Sequence, residues 1–325
     1  MISTVLVTGA AGFVGSHFCR VAHDAGLRVI ALDDFSTSPD WPDPSFFEKV
    51  VGDVGHRDLI RRIVVDRGID TIVHFAGRIR VDESVRNPGL YFEQNLTKTI
   101  ALLDAATSAS QKPLSFVLSS SAAVYGAPER SPIVELAATK PINPYGASKL
   151  AAEVILQAFA KTHGVRWAAL RYFNAAGAHP DGTLRERHDP ETHLIPLAID
   201  AALGKRSALT IYGTDYATRD GSCVRDYVHV MDLADAHLAA IESLARDAAV
   251  GALNLGSERG STVKEVLNEV ADVVGRPVPH ELGPRREGDP AKLVASAALA
   301  AETIGWRPRR ALPEIVEDAL RSRRA

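Results

Sequence analysis

Cysteine is nearly missing from this chain: Cys19 and Cys223 are the only two in 325 residues, far apart and without metal-type spacing. That excludes a disulfide framework and a thiolate metal centre, and it suits a reducing compartment. An excess of either charge is missing too. Thirty-seven basic and 40 acidic residues leave a net charge of -3, so there is no electrostatic footprint for nucleic acid or an anionic membrane. No apolar run approaches the roughly 20 residues a membrane-spanning helix needs. No charged leader with an apolar stretch precedes the strand-like run Thr4-Val5-Leu6-Val7. Internal repeats and low-complexity tracts are absent. The expectation is a cytoplasmic protein whose partners are small molecules, with neither nucleic acid nor membrane among them.

What is present is an ordinary globular composition, 46% hydrophobic and 24% charged, long enough for two domains or one large one. The first half alternates short β-branched runs with longer amphipathic ones. Strands are predicted at 4–7, 28–32, 47–51, 71–75, 115–119 and 166–171, and helices at 13–25, 56–67, 91–107 and 144–163. This is the pattern of βαβ units, and it predicts an α/β fold with a Rossmann-like doubly wound parallel sheet over residues 1–173. After about Asn174 the segments are interrupted by Pro and Gly, with helices expected at 194–203, 233–245, 263–274 and 312–322. A smaller mixed α/β domain is predicted over 174–325, some of it, around 224–246, packing back on the first. Asp232 before Leu233 reads as a helix N-cap.

In such sheets ligands gather at the carboxyl ends of the strands, and the motifs lie there. The first strand runs into Gly9-Ala10-Ala11-Gly12-Phe13-Val14-Gly15 and then a helix, a place where small residues let the backbone approach a pyrophosphate. The second ends at Asp33-Asp34, where an acid accepts hydrogen bonds from adenosine ribose hydroxyls. No Arg follows within Phe35-Ser36-Thr37-Ser38 to receive a 2′-phosphate, so NAD is favoured over NADP. Asp53, in Gly52-Asp53-Val54, is placed to bond an adenine amino group, or it is a turn residue. The fifth strand ends in Ser119-Ser120-Ser121. A hydroxyl there both donates and accepts, so it can hold an alcohol oxygen.

Tyr145 and Lys149, in Asn143-Pro144-Tyr145-Gly146-Ala147-Ser148-Lys149, stand four apart and so share a helix face. Asn143 is a good N-cap and Pro144 a good first helical residue, which puts Tyr145 in the opening turn. The helix dipole and the Lys149 ammonium would both favour the phenolate, making Tyr145 an acid/base group.

Together these motifs resemble the extended branch of the short-chain dehydrogenase/reductase superfamily. The match narrows to the UDP-glucose 4-epimerases over Phe75-Ala76-Gly77, Val124-Tyr125-Gly126, Arg171-Tyr172-Phe173-Asn174, Asp220 to Val230 and Arg285-Arg286-Glu287-Gly288-Asp289, and it continues to Trp306. The resemblance implies an NAD that is reduced and reoxidised in each cycle. It implies Tyr145, Ser121 and Lys149 as the catalytic group around a sugar 4-hydroxyl. For the cofactor it implies Gly9, Gly12, Phe13, Val14, Gly15, Asp33, Asp34, Phe35, Ser36, Thr37, Ser38, Asp53, Val54, Phe75, Ala76, Gly77, Asn95 and Phe173 beside the catalytic three. For a UDP-sugar it implies Asn174, Leu194, Tyr212, Arg225, Arg286 and Asp289 with Ser121 and Tyr145. Guanidinium forks suit phosphate oxygens. It also implies a homodimer built on helices 91–107 and 144–163, and it puts Leu293 beside the sugar 2-substituent.

A nucleotide-sugar dehydratase would need an acid and a base where this chain has Ala122 and Ala123, and two methyls move no protons. A decarboxylase, a 4-reductase, an epimerase of N-acetylated or pentose sugars and a non-catalytic dinucleotide sensor stay open. The chain departs from the family at Arg78-Ile79-Arg80-Val81-Asp82, at Leu96-Thr97-Lys98-Thr99 and at Ala123. No metal is expected. In His188-Asp189-Pro190-Glu191-Thr192-His193, Pro190 bars a single helix through both histidines and the spacing fits no zinc signature. Cys19, Cys223, His74 and His229 read as packed structural residues.

Overall fold

The structure is a computed structural model describing residues 4–42, 47–286 and 289–324; Glu287 and Gly288 of the Arg285-to-Asp289 run lie outside the described residues. The chain opens with β1 (Thr4–Thr8), α1 (Phe13–Asp24), β2 (Arg28–Asp33), β3 (Glu48–Val51), α2 (Arg57–Arg67) and β4 (Thr71–His74). Short helices α3 (Val81–Arg86) and α4 (Pro88–Phe92), a π-helical turn (Glu93–Thr97) and α5 (Lys98–Ala109) lead to β5 (Ser115–Ser121). A 3-10 turn (Ala122–Tyr125), α6 (Pro144–His163) and β6 (Arg166–Tyr172) follow. Then come β7 (Asn174–Ala176), α7 (Leu194–Ala202), β8 (Leu209–Tyr212), β9 (Val224–Arg225), β10 (Tyr227–His229), α8 (Val230–Ala245) and β11 (Gly251–Leu255). The chain closes with β12 (Ser261–Thr262), α9 (Val263–Val274), β13 (His280–Gly283), β14 (Lys292–Leu293), α10 (Ala298–Ile304) and α11 (Leu312–Arg324).

Seven parallel strands form the main sheet in the order β11-β6-β5-β4-β1-β2-β3. Alternation along each strand feeds two apolar layers. Val5, Val7, Val73, Val117 and Leu170 face α1 and α8 on one side, with Phe18, Cys19, Leu233 and Trp306. Leu6, Ile72, Phe116 and Leu118 face α2, α5 and α6 on the other, with Ile60, Leu102 and Leu156. Helices therefore cover both faces, the arrangement the βαβ pattern predicts. A third apolar cluster joins α7, α9 and α11 beneath β8, through Ile195, Ile199, Ile211, Val266 and Ile315. No helix of the described residues is long and apolar enough to cross a membrane.

Three local readings need correction. The stretch from Tyr91 to Thr107 is not one helix, because the π-helical turn at Glu93–Thr97 interrupts it and carries the buried Asn95. Asp232 is not the cap of α8. His229 occupies that position and its Nδ1 accepts the Met231 N–H at 3.1 Å, while Asp232, inside the first turn, accepts the N–H groups of Arg309 and Arg310 at 2.9 and 3.0 Å. The imidazole fills the cap, so the carboxylate is free to anchor the C-terminal segment. Finally, β11 supplies a seventh strand that no β-branched run announces, since Gly251-Ala252-Leu253-Asn254-Leu255 pairs with Ala168 to Tyr172 of β6.

Candidate active site

The carboxyl ends of β1, β2, β4 and β5 converge on one edge of the sheet. Gly9 has φ +69, and a Cβ on it would lie 2.5 Å from the Ala76 backbone N; a Cβ on Gly15 would strike the Gly9 carbonyl. Only glycine allows this crossing of the first turn under the loop after β4. Gly12 caps α1 without a side chain, leaving first-turn N–H groups for an anion. Asp33 fixes the loop from the neighbouring strand: its two carboxylate oxygens accept the Ala11 and Phe35 N–H groups, each at 2.9 Å. Burial pushes its carboxyl up, and those two N–H groups pull the other way. Asp34 is exposed and accepts the Ser36 N–H at 2.9 Å, opening the turn through Thr37 and Ser38. Phe35 meets Trp41 edge-on at 5.1 Å.

Farther along the edge, Asp53 accepts the Gly55 N–H at 2.7 Å and the Lys98 ammonium at 2.5 Å. Burial, the largest single influence, would raise the Asp53 carboxyl, but Lys98 and the Gly55 N–H together outweigh it and hold the group below its ordinary value. Val54 is packed into the apolar layer with Leu32 and Ile60, unlike the half-exposed Asp53 beside it. Phe13 and Val14 are half-buried on the first turn of α1, and Phe75 packs against Phe18 and His237. Of the arginines in the departing stretch, Arg78 pairs with Glu83 and Arg80 with Asp82.

Tyr145 and Lys149 lie four residues apart on α6, as the spacing predicts. Asn143 caps α6, its Oδ1 accepting the Gly146 N–H at 2.8 Å, and Pro144 is the first helical residue. The Tyr145 phenol is half-buried beside the Ser121 side chain, whose Oγ accepts the Ala123 N–H at 3.1 Å. Lys149 is buried, and its Nζ donates to the Ser119 carbonyl at 2.9 Å. A Cβ added to Gly77 would lie 2.9 Å from Asn95 Oδ1 and 3.6 Å from Lys149 Nζ, so these three also converge. Asn95 is locked by the Arg78 backbone on both sides, at 2.7 and 3.0 Å, and by Ser148 at 3.0 Å.

The electrostatics differ from the sequence expectation in one respect. Burial pushes the Tyr145 phenol above its ordinary value, and Ser121, not Lys149, is the group that counters it. Lys149 is itself brought down to about 8 by burial, with Glu153 working against the fall. Glu153 lies one further turn along the Tyr145–Lys149 face, and the same four-residue step that identified the pair would have found it. It grips Arg171 through two hydrogen bonds at 3.0 and 2.7 Å and also takes the Ser120 hydroxyl. From Arg171 the buried network runs to the Tyr125 hydroxyl at 2.8 Å and from there to Asn254 at 2.7 Å.

On the opposite side, Asn174 donates its amide to the Asp226 carbonyl at 2.8 Å, next to Arg225. Arg225 pairs with Asp289 and donates to the Pro290 carbonyl at 3.0 Å. The Arg286 guanidinium lies 4.0 Å over the Tyr212 ring. Leu293 pairs in register with Arg225, and it and the half-buried Phe173 both pack against the cluster of Val124, Tyr125 and Ile133. Leu194 stands apart, on the first turn of α7.

The model of the NAD dependent epimerase/dehydratase family matches residues 5–256. The UDP-glucose 4-epimerase of Azospirillum brasilense is 45% identical over 97% of this chain and 90% of its own length. The crystal structure of UDP-glucose 4-epimerase from Brucella ovis in complex with NAD superposes with a TM-score of 0.94 at 42% identity, covering 98% of this chain and 97% of that one. That of the Bifidobacterium longum UDP-glucose 4-epimerase in complex with NAD+ and UDP gives 0.91 at 35% identity, covering 99% and 98%.

Proposed function

The chain belongs to the NAD dependent epimerase/dehydratase family, and on that premise we propose that it interconverts UDP-glucose and UDP-galactose by NAD-dependent oxidation and re-reduction at C4. The observation that carries this reading is the convergence of Tyr145 and Ser121 with the buried Lys149, Asn95 and Gly77, at the end of a sheet whose first turn leaves no room for a Cβ at Gly9 or Gly15. The residues fit the cofactor: Gly9, Gly12, Gly15 and the open first turn of α1 would hold its pyrophosphate, Asp33 a ribose, and Asn95 and Lys149 the nicotinamide side. When bound, NAD supplies a reversible hydride acceptor and a positive charge that opposes the effect of burial on Tyr145.

Tyr145 as phenolate takes the proton of the 4-hydroxyl as hydride leaves C4, giving a 4-keto sugar, and it returns that proton when hydride comes back to the opposite face. The proton count closes on one oxygen. Ser121 holds the 4-oxygen throughout. Arg225, Arg286, Asp289, Tyr212, Asn174 and Leu194 hold the UDP, so the small sugar can turn over while it remains captured. Ala122 and Ala123 at the start of the 3-10 turn leave no carboxyl pair for dehydration. In this reading residues 1–173 carry the cofactor and 174–325 the nucleotide sugar. Two copies would associate through the exposed apolar side chains of Val85, Phe92 and Val154. The two free, buried cysteines support a cytoplasmic location.

Purified protein given UDP-galactose with no added NAD should form UDP-glucose, identified by NMR. Protein that carries NAD yet leaves UDP-galactose unchanged over hours would overturn the reading in favour of a dinucleotide sensor. Parallel incubations with UDP-N-acetylglucosamine and UDP-xylose report on the space beside Leu293.

A further inference from the structure

The loop before α7 contains the same triplet pattern twice, Glu186-Arg187-His188 and Glu191-Thr192-His193, separated by Asp189-Pro190. In extended backbone, residues two apart project to one side, so each triplet offers a carboxylate and an imidazole together. The chain bends at Asp189 and Pro190 and brings the two pairs face to face. Pro190 therefore rules out a shared helix, as the sequence indicates, but it supplies the turn that assembles the residues another way. His188 Nδ1 and His193 Nδ1 lie 2.9 and 2.7 Å from the same Glu186 oxygen, and His193 Nδ1 lies 2.8 Å from Glu191 Oε1.

We propose that Glu186, His188, Glu191 and His193 bind a divalent metal ion of the zinc type, as a structural site that fixes this loop to the start of α7. The ligand atoms of all four residues lie within 4.8 Å of one another. Bonds of about 2.0–2.2 Å in tetrahedral geometry put donors about 3.3–3.6 Å apart, so small side-chain movements from the present positions complete the shell. Two carboxylates and two neutral imidazoles balance the charge of one divalent ion. Four protein ligands leave no open position, which favours a structural over a catalytic role.

The surroundings hold the carboxylates in place. The side chain of Glu186 is 6% exposed and that of Glu191 14%. Glu191 accepts the N–H groups of Thr192 and His193 at 2.7 and 2.9 Å, and its second oxygen lies 3.7 Å from Arg323 of α11. Arg323 in turn holds Asp200 of α7 at 2.8 Å, and intervening Arg187 turns away to pair with Asp40. Such outer contacts orient metal ligands. The ion would thus tie the loop, α7 and α11 together one residue before Leu194.

The test uses tag-free full-length protein with its cofactor retained. It is stripped with a chelator, dialysed against buffered micromolar zinc, and analysed for metal content. About one zinc per chain is expected, and cobalt in its place should give the intense visible bands of a four-coordinate ion. The Glu186→Gln/His188→Ala double variant should lose at least tenfold in zinc affinity. A wild-type chain that takes up no zinc, or a folded double variant that binds it equally well, overturns the proposal. Metal content is read without substrate, so failure here leaves the epimerase reading standing.

Discussion

Tyr145, Lys149 and Glu153 follow one another at four-residue steps on α6, and Glu153 opposes the effect of burial on Lys149. In the proposed reaction the Tyr145 hydroxyl is the group that takes and returns the proton of the sugar 4-hydroxyl. Tyr145→Phe is therefore expected to keep NAD and to lower epimerisation by several orders of magnitude, read from initial rates and from the cofactor's absorbance; near-normal turnover would refute the assignment. Lys149 is a base whose folded value, about 8, lies below its ordinary one, so its ammonium is present below that pH and is lost above it. Glu153 acts to keep the value up. Glu153→Gln should bring the loss closer to neutrality and make NAD retention fail at lower pH than in the parent, measured by gel filtration over a pH series. Superimposable retention curves would remove Glu153 from the site. The same change breaks a buried ion pair with Arg171 and should lower stability by about 3 kcal/mol, towards the low end for such losses because the amide keeps a hydrogen bond.

Among the elements, the glycine turn between β1 and α1 depends most on a single residue. Gly9→Ala would hold a side chain at φ +69 and drive its Cβ into the Ala76 backbone, two faults that no rotamer relieves. More than 1 kcal/mol of stability and most of the bound NAD should be lost together, and a variant purified with a full complement of NAD would contradict the cradle described here. This turn, the strands of the first half and the cap of α6 were legible because local chemistry specifies them: short β-branched runs between amphipathic stretches, and Asn143-Pro144 ahead of Tyr145. The sequence was silent where distant parts decide. β11 is a strand because β6 offers it a partner, not because Gly251 to Leu255 favour extension. The π-helical turn exists where Asn95 must reach the Arg78 backbone. Glu186 joins His188 and His193 only after a bend has formed. Lys98, read as a departure from a family pattern, holds Asp53.

At the scale of the whole molecule, four buried histidines lie along the helix-packed sheet and none is free to take a proton cheaply. His17 bonds the Phe13 carbonyl, His74 sits between Thr8 and Thr99, His229 caps α8, and His237 bonds the Leu233 carbonyl and Tyr172. Burial, in each case the largest influence, lowers His17, His229 and His237 to about 4 and His74 to about 3. The sign follows from proton binding. The unfolded chain takes up these protons from about pH 6.5 downward, while the folded chain refuses them until about pH 4 or 3. Their contribution is thus complete above about pH 6.5 and declines as pH falls through that window, at about 1.4 kcal/mol per pH unit for each histidine. Buried Asp33 and Asp226 are raised and offset part of the loss, because the folded chain protonates them first. The histidines act at higher pH than the acids do, so the net slope should steepen from about two protons near pH 6.5 to between about three and about four near pH 5. A typical domain stability of about 5–15 kcal/mol would be consumed within a few pH units. Urea unfolding at about pH 7.5, about pH 6 and about pH 5 should show the midpoint falling steeply with an unchanged slope m. His17→Phe, which removes one of these protons, should flatten the decline by about a quarter. A midpoint that stays level from neutrality to about pH 5 would mean that these imidazoles are protonated within the folded chain, and the packing of α1 and α8 on the sheet would have to accommodate their charge.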